Sequence, residues 1–337
     1  MKRKNDLMHY IQMFFRDYLA IQKGVSENTI KTYRDSLKLF LKFIAKKDSK
    51  TISKITLVDL DAESVIAFLK EIEKNRNNCI VTLNLRLTSL KTFFTYLLTQ
   101  DISRSGIYQR IIAIPIKRGA KPLMEYLEIH EVKAIFDNIN RKDKSGERDY
   151  VVLNLLYNTG ARVSEICNLK VENIRFESPP VITIVGKGQK LRHIPLWKET
   201  ANILYVYLKK NDMLDNPKAV VFLNSHGKPI SRFGIRYIVR RRVFEAASIC
   251  HSLIRKRIGP HTFRHSIAMH MLQSGVDLTV IKNWLGHVNL ETTHGYIEID
   301  LEMKRKALSS ISPAGKSYDL KLLIKENKDL ISWMESL

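Results

Sequence analysis

Residues 261–296 read HTFRHSIAMHMLQSGVDLTVIKNWLGHVNLETTHGY. Five of the chain's ten histidines fall here, together with Arg264 and Tyr296. Apolar residues recur at helical spacing, predicting helices over His261–Gln273 and Leu278–Leu285. Imidazole, guanidinium and phenol gathered in two helices and a following loop leave three readings open: chemistry on a phosphate, a metal site, or a crowded helical core. The metal reading is the weakest. His261 and His265 lack the Glu of H-E-x-x-H, and no carboxylate follows before Asp277. We therefore expect neither metal nor cofactor.

Charge narrows the partner. Across 337 residues, 56 Lys and Arg face 34 Asp and Glu, a net charge of +22. A field of that sign draws polyanions, nucleic acid first and anionic membrane second. Cys79, Cys167 and Cys250 are odd in number and form no C-x-x-C pair, which argues against a disulfide framework or a zinc ribbon. No apolar run approaches the ~18 residues of a transmembrane helix, and no signal peptide is legible. The expected location is cytoplasmic.

Upstream of the opening stretch, the pattern switches from helix to strand. Val181–Val185 and Leu191–Pro195 flank Gly186-Lys-Gly-Gln-Lys190, a β-hairpin with a basic turn, and Asn173–Phe176 can add a third short strand. Helices are expected near Glu128–Asn140, Glu147–Asn158, Lys198–Lys210 and Arg232–Ser248. The 157–172 stretch resembles a helix-turn-helix. Within it, Arg162 follows a Thr159-Gly160 break, and Glu165 on the same face can orient its guanidinium. Such a pair is also common surface decoration.

The N-terminal part reads as four amphipathic helices, over Met8–Ala20, from Ser26 past Ile44, from Asp61 to about Glu73, and onward from Asn78. The pattern weakens between Ser103 and Pro122, where two prolines and a glycine sit among basic residues. The expected organisation is thus mainly α in two domains: a helical bundle over 1–113, a linker over 114–126, an α-rich domain with a small antiparallel sheet over 127–311, and a helical tail over 312–337. Asn84, Arg86 and Lys91 on the fourth helix, with Lys117 and Arg118 in the linker, are candidate DNA contacts.

Together these residues fit attack on a phosphodiester. Arg162 and Arg264 can clamp non-bridging oxygens. Tyr296 can form a covalent phosphoester, a lysine on the hairpin can protonate the leaving oxygen, and His261 and His287 can donate hydrogen bonds or shuttle protons.

The chain here resembles the tyrosine site-specific recombinases, the phage integrase family, over nearly its whole length. The residues that carry the likeness are Ser26-Glu-Asn-Thr-Ile-Lys-Thr-Tyr33, Thr159-Gly-Ala-Arg162-Val-Ser-Glu165, Gly186-Lys-Gly188, His261-x-x-Arg264, Leu285-Gly-His287 and Thr292-Thr293-x-x-Tyr296. The resemblance implies a SAM-like core-binding domain and a catalytic domain of the DNA breaking-rejoining fold. It implies Arg162 and Arg264 on the scissile phosphate, Glu165 in support, and Lys187 as general acid, with Lys190 the alternative. It further implies His261 as proton acceptor, His287 as second histidine, and Tyr296 as nucleophile of a 3′-phosphotyrosyl link. Tyr296 is followed by Ile-Glu, where many members have Thr-His.

The implied partners are a double-stranded recombination site and a homo-tetramer in the synaptic complex, monomer or dimer on single sites, with no membrane. The first helix begins almost at residue 1, which favours a simple recombinase of the Xer kind, and the 317–337 helix is expected to contact a neighbouring protomer. A type IB topoisomerase and a DNA-binding protein without catalysis are the rival expectations.

Overall fold

The computed structural model describes residues 6–119, 124–186 and 190–286. Lys187, His287, Tyr296 and the 317–337 segment lie outside the described residues. Two compact units divide after Pro122.

In the first unit, α1 (Asp6–Met13) runs into a π-helical segment over Phe14–Gln22, which sequence periodicity had rendered as one α-helix. The wider turn accompanies a ring cluster in which Phe14 meets Phe93 edge-on at 5.1 Å and Tyr96 at 5.5 Å. The helix α2 (Glu27–Lys47) starts at Ser26, whose side chain accepts from the Thr29 N–H. Likewise Asp61 accepts from the Ser64 N–H at 2.7 Å and starts α3 (Ala62–Arg76). The Leu83, Leu87, Leu90, Phe94 and Leu97 stripe of α4 (Ile80–Gln100) is buried in the bundle core.

A fifth helix, α5 (Ser105–Ile112), occupies a stretch expected to be irregular. The helix is held by burial of Tyr108 and Ile111 and by Tyr108 Oη donating to Asp101 Oδ2 at 2.7 Å. Beyond it, residues 115–119 are not a free strap. Asn84 Nδ2 donates to the Lys117 carbonyl, and the Lys117 N–H returns a bond to Asn84 Oδ1.

The second unit opens with α6 (Ile129–Asp137), α7 (Lys144–Thr159) and α8 (Val163–Cys167). A three-stranded antiparallel sheet follows in the order β1 (Ile174–Arg175), β2 (Val181–Val185), β3 (Leu191–Pro195). Ile182 opposes Ile194, and Ile184 opposes Arg192. Ile182, Ile184 and Ile194 face the core, as the two-residue strand period requires. The remaining helices are α9 (Lys198–Lys210), α10 (Arg232–Ala246), α11 (Pro260–Gln273) and α12 (Leu278–Leu285).

The architecture is the expected one, mainly helical with a small antiparallel sheet. The helix-turn-helix is not formed. At five residues α8 is too short to read a groove, it buries Ile166 and Cys167, and a 3-10 turn and β1 follow it. Among the described residues no helix is long and apolar enough to cross a membrane.

A buried ion pair joins α7 to α10. Arg242 donates from Nε and Nη2 to Asp149 Oδ2 at 3.0 and 2.7 Å, while Arg148 Nη2 donates to Asp149 Oδ1 at 2.9 Å. Removing one partner of such a pair strands a charge in the core. Asp149→Ala should therefore destabilise the protein by about 3–5 kcal/mol, read as a lowered urea midpoint. A midpoint unchanged from wild type would rule the pair out as a core tie.

Candidate active site

Helix ends build the site. Gly160 terminates α7 with φ +58°, and Gly286 terminates α12 with φ +65°, conformations that glycine adopts without strain. Carbonyls at helix C-termini lack intrahelical partners and carry partial negative charge. Arg264, on the first turns of α11 and only 3% exposed, fills this role at both ends. Its Nη1 donates to the Gly160 carbonyl at 2.6 Å and its Nη2 to the Leu285 carbonyl at 2.7 Å. A Cβ at residue 160 would lie 2.6 Å from Leu285 Cδ2, so glycine also permits the two helix ends to meet.

Arg162 caps α8 from the same side. Its Nη2 approaches the Gly286 carbonyl at 3.4 Å, next in the chain to the carbonyl that holds Arg264. Its Nη1 donates to Glu165 Oε1 at 3.0 Å, and its N–H to Glu165 Oε2 at 2.7 Å. About a third of the Arg162 side chain remains exposed, against 5% for Glu165. Thus two guanidiniums rest on consecutive carbonyls at the C-terminus of α12, one buried and one open.

Sequence reasoning missed a third arginine. Arg192 Nη1 and Nη2 donate to Glu165 Oε1 and Oε2 at 3.0 and 2.7 Å, a two-pronged pair. The available signal was parity, since Arg192 and the buried Ile194 lie two apart on β3 and share a face. Burial alone would raise the Glu165 carboxyl. The bonds and charge of Arg192, then those of Arg162, hold it below the usual range.

The histidines separate by environment. Burial, then the charges of Arg264, Arg162 and Arg236, push the His261 pKa down, with Glu165 opposing. His261 is therefore a neutral imidazole near pH 7. His270 is buried, and its Nδ1 shares a 2.7 Å hydrogen bond with Tyr157 Oη. Among the described residues no three His, Cys, Asp or Glu side chains gather as metal ligands.

Burial, then His261 and Arg264, lower the His265 pKa to about 4. The folded chain therefore resists a proton that the unfolded chain accepts below pH 6.5, so stability should fall as pH drops from 6.5 towards 4. The loss is on the order of 3 kcal/mol over that window. Thermal melts across pH 4–7 test this, and His265→Gln should flatten them. Equal slopes in the two proteins would sink the assignment.

Lys190 is exposed, and its carbonyl accepts from the Gly186 N–H at 2.8 Å, one bond beyond the β2–β3 ladder. In the first unit, the Asn84 amide is occupied by the Lys117 backbone, and Lys117 Nζ pairs with Glu73 at 2.6 Å. Arg118 is exposed. Arg86 and Lys91 are half-buried on α4, and burial lowers both pKa values. Arg86 Nε has no partner among the described residues. A further cationic face, not singled out from sequence, lies on α10. Phe233 and Tyr237 are exposed there beside Arg236 and Arg240, and the charge of Arg236 reaches His261.

Residues 125–303 match the family described as "Phage integrase family", and residues 12–101 match "Phage integrase, N-terminal SAM-like domain". A putative integrase/recombinase, y4rC, of Sinorhizobium fredii is 34% identical over 338 residues, covering 100% of each chain. Tyrosine recombinase XerC of Staphylococcus haemolyticus is 31% identical over 310 residues, 92% of this chain and 99% of that protein. Among solved structures, XerH site-specific recombinase bound to palindromic difH substrate, a post-cleavage complex, has a TM-score of 0.70 at 22% identity. That alignment covers 92% of this chain and 90% of XerH, and it bears on the fold.

Proposed function

The chain belongs to the phage integrase family of tyrosine recombinases, enzymes that cleave and rejoin DNA strands, and from that membership we propose a site-specific recombinase acting through a 3′-phosphotyrosyl intermediate. The observation that carries the reading is the seating of Arg162 and Arg264 on the consecutive carbonyls of Gly286 and Leu285 beside His261. Two fixed guanidiniums stabilise the charge that develops on the non-bridging oxygens as phosphorus becomes five-coordinate. His261, neutral near pH 7, accepts the Tyr296 proton. The tyrosyl oxygen then bonds to phosphorus while the bond to the 5′-oxygen breaks. Lys187, or Lys190 three residues on, gives a proton to that leaving oxygen, and His287 donates a hydrogen bond to the phosphate.

Attack by a partner strand's 5′-hydroxyl reverses these steps. The bond energy is conserved in the phosphotyrosine, so the chemistry draws on no ATP, and the arginines and lysine supply the positive charge that a metal would otherwise bring. The ligand is double-stranded DNA carrying the recombination site, and exchange between two such sites calls for four protomers. Arg86 and Lys91 on α4, with exposed Arg236 and Arg240 on α10, are the cations we assign to the DNA backbone. Exposed Phe233 and Tyr237 add apolar contact on α10.

A duplex nicked close to the cleavage point loses its 5′-hydroxyl fragment and traps the intermediate. The expected result is a detergent-resistant protein–DNA adduct, formed equally with EDTA present. Binding of the same site without any adduct would overturn the catalytic reading, and loss of the adduct in EDTA would overturn the metal-free one.

A further inference from the structure

We propose that Arg192 is a positioning residue for strand cleavage, holding Glu165 from β3 and through it fixing where the Arg162 guanidinium meets the phosphate. The inference rests on the recombinase reading above. Its basis is the saturation of one carboxylate. Glu165 Oε1 accepts from Arg162 Nη1 and Arg192 Nη1, while Oε2 accepts from the Arg162 N–H and Arg192 Nη2. An ionised carboxylate offers about four acceptor sites, so all of them are occupied. Its two arginines differ in exposure, with Arg192 10% exposed and Arg162 34%. The buried fork takes up most of the carboxylate's pull and leaves the outer guanidinium with one side-chain bond to it. Without Arg192, Glu165 would draw Arg162 into a full pair and away from a ligand.

The packing is shaped around this guanidinium. A Cβ at Gly286 would lie 3.2 Å from Arg192 Cδ and 3.3 Å from Nη1, and a Cβ at Gly186 would lie 3.5 Å from Nη1. Gly186 follows β2, and Gly286 supplies the carbonyl that Arg162 Nη2 approaches. Arg192 therefore links three pieces of the site: the lysine-bearing hairpin, the Arg162 cap of α8, and the end of α12. A strut that only joined β3 to α8 would need neither the shared carboxylate nor the close approach of Gly286 to the Arg192 side chain.

Single-turnover cleavage of the nicked duplex against pH separates these roles. Arg192→Gln should slow cleavage by about ten- to a hundredfold at pH 7, as displacement of a positioned group does, with site affinity within about threefold of wild type. Loss of the Arg192 charge also lets Glu165 take a proton at higher pH, so the acid limb of the rate profile should move towards neutrality. Glu165→Gln/Arg192→Gln should lack that moved limb. Wild-type rate and limb in Arg192→Gln, or a slower rate with the limb unmoved, would overturn the proposal. Should Arg192→Gln not fold, Arg192→Lys carries the test, because it keeps the charge and loses the fork. A cleavage loss at retained affinity then supports the role, and wild-type cleavage rejects it. Absence of cleavage by the wild-type protein would instead overturn the recombinase reading, and this inference with it.

Discussion

Arg264→Lys should cut the rate of strand cleavage by about a hundred- to a thousandfold while leaving affinity for the DNA site within a few-fold. The buried guanidinium spends one donor on the α7 C-terminus and another on the α12 C-terminus, at Gly160 and Leu285. Those bonds fix the plane of the fork, and the proposed clamp needs that plane so that the fork can meet a phosphate at two oxygens. A lysine brings the same charge on a single nitrogen. It cannot hold two carbonyls of different helices and also present a planar pair of donors.

The comparison with alanine is informative for the same reason. Arg264→Ala would leave two helix-terminal carbonyls buried without a donor, and its loss of activity would be mixed with loss of fold. Lysine retains one of those bonds and the charge, so its effect isolates geometry. The measurement is single-turnover cleavage of the nicked duplex beside a mobility-shift titration and a thermal melt. Cleavage within tenfold of wild type would mean that charge alone suffices and that the helix-end seat is incidental.

What the sequence revealed and what it hid follow from the range of the forces involved. The bounds of α9 and α12 were legible to the residue, because apolar residues recurring at helical spacing are a local signal, and at α12 Gly286 marks the end. Two-turn α5 was not, since its reason for existing is the pocket that takes Tyr108. The helix-turn-helix expectation failed at α8, which ends after five residues with Ile166 and Cys167 buried and runs on into a 3-10 turn and β1. Arg162, Glu165, Arg264 and His261 could be singled out by residue type and spacing. Their common seat could not, because it needs the ends of α7 and α12 to converge on Arg264, a tertiary fact. Arg192 was hidden for a different reason. Parity with Ile194 gives its inward face, but its role needs a partner carboxylate that lies on another element.

Tyr296→Phe should abolish the covalent adduct, a drop of at least about 10⁴-fold, while the protein still shifts its DNA site. Phenylalanine keeps the ring and removes only the oxygen that would bond to phosphorus. Tyr157 and Tyr207 of the second unit make poor substitutes. Burial raises the Tyr157 phenol, which is already paired with His270, and burial pushes Tyr207 up to about 12. A nucleophile needs the opposite, a phenol whose anion is stabilised by neighbouring cations such as Arg162 and Arg264. Tyr237 is the serious competitor, because it is exposed on α10 one residue from Arg236, whose charge reaches His261. Tyr237→Phe should leave adduct formation intact and at most weaken binding, as expected for a side chain that packs on DNA without reacting. An adduct that survives Tyr296→Phe and vanishes in Tyr237→Phe would move the nucleophile to α10.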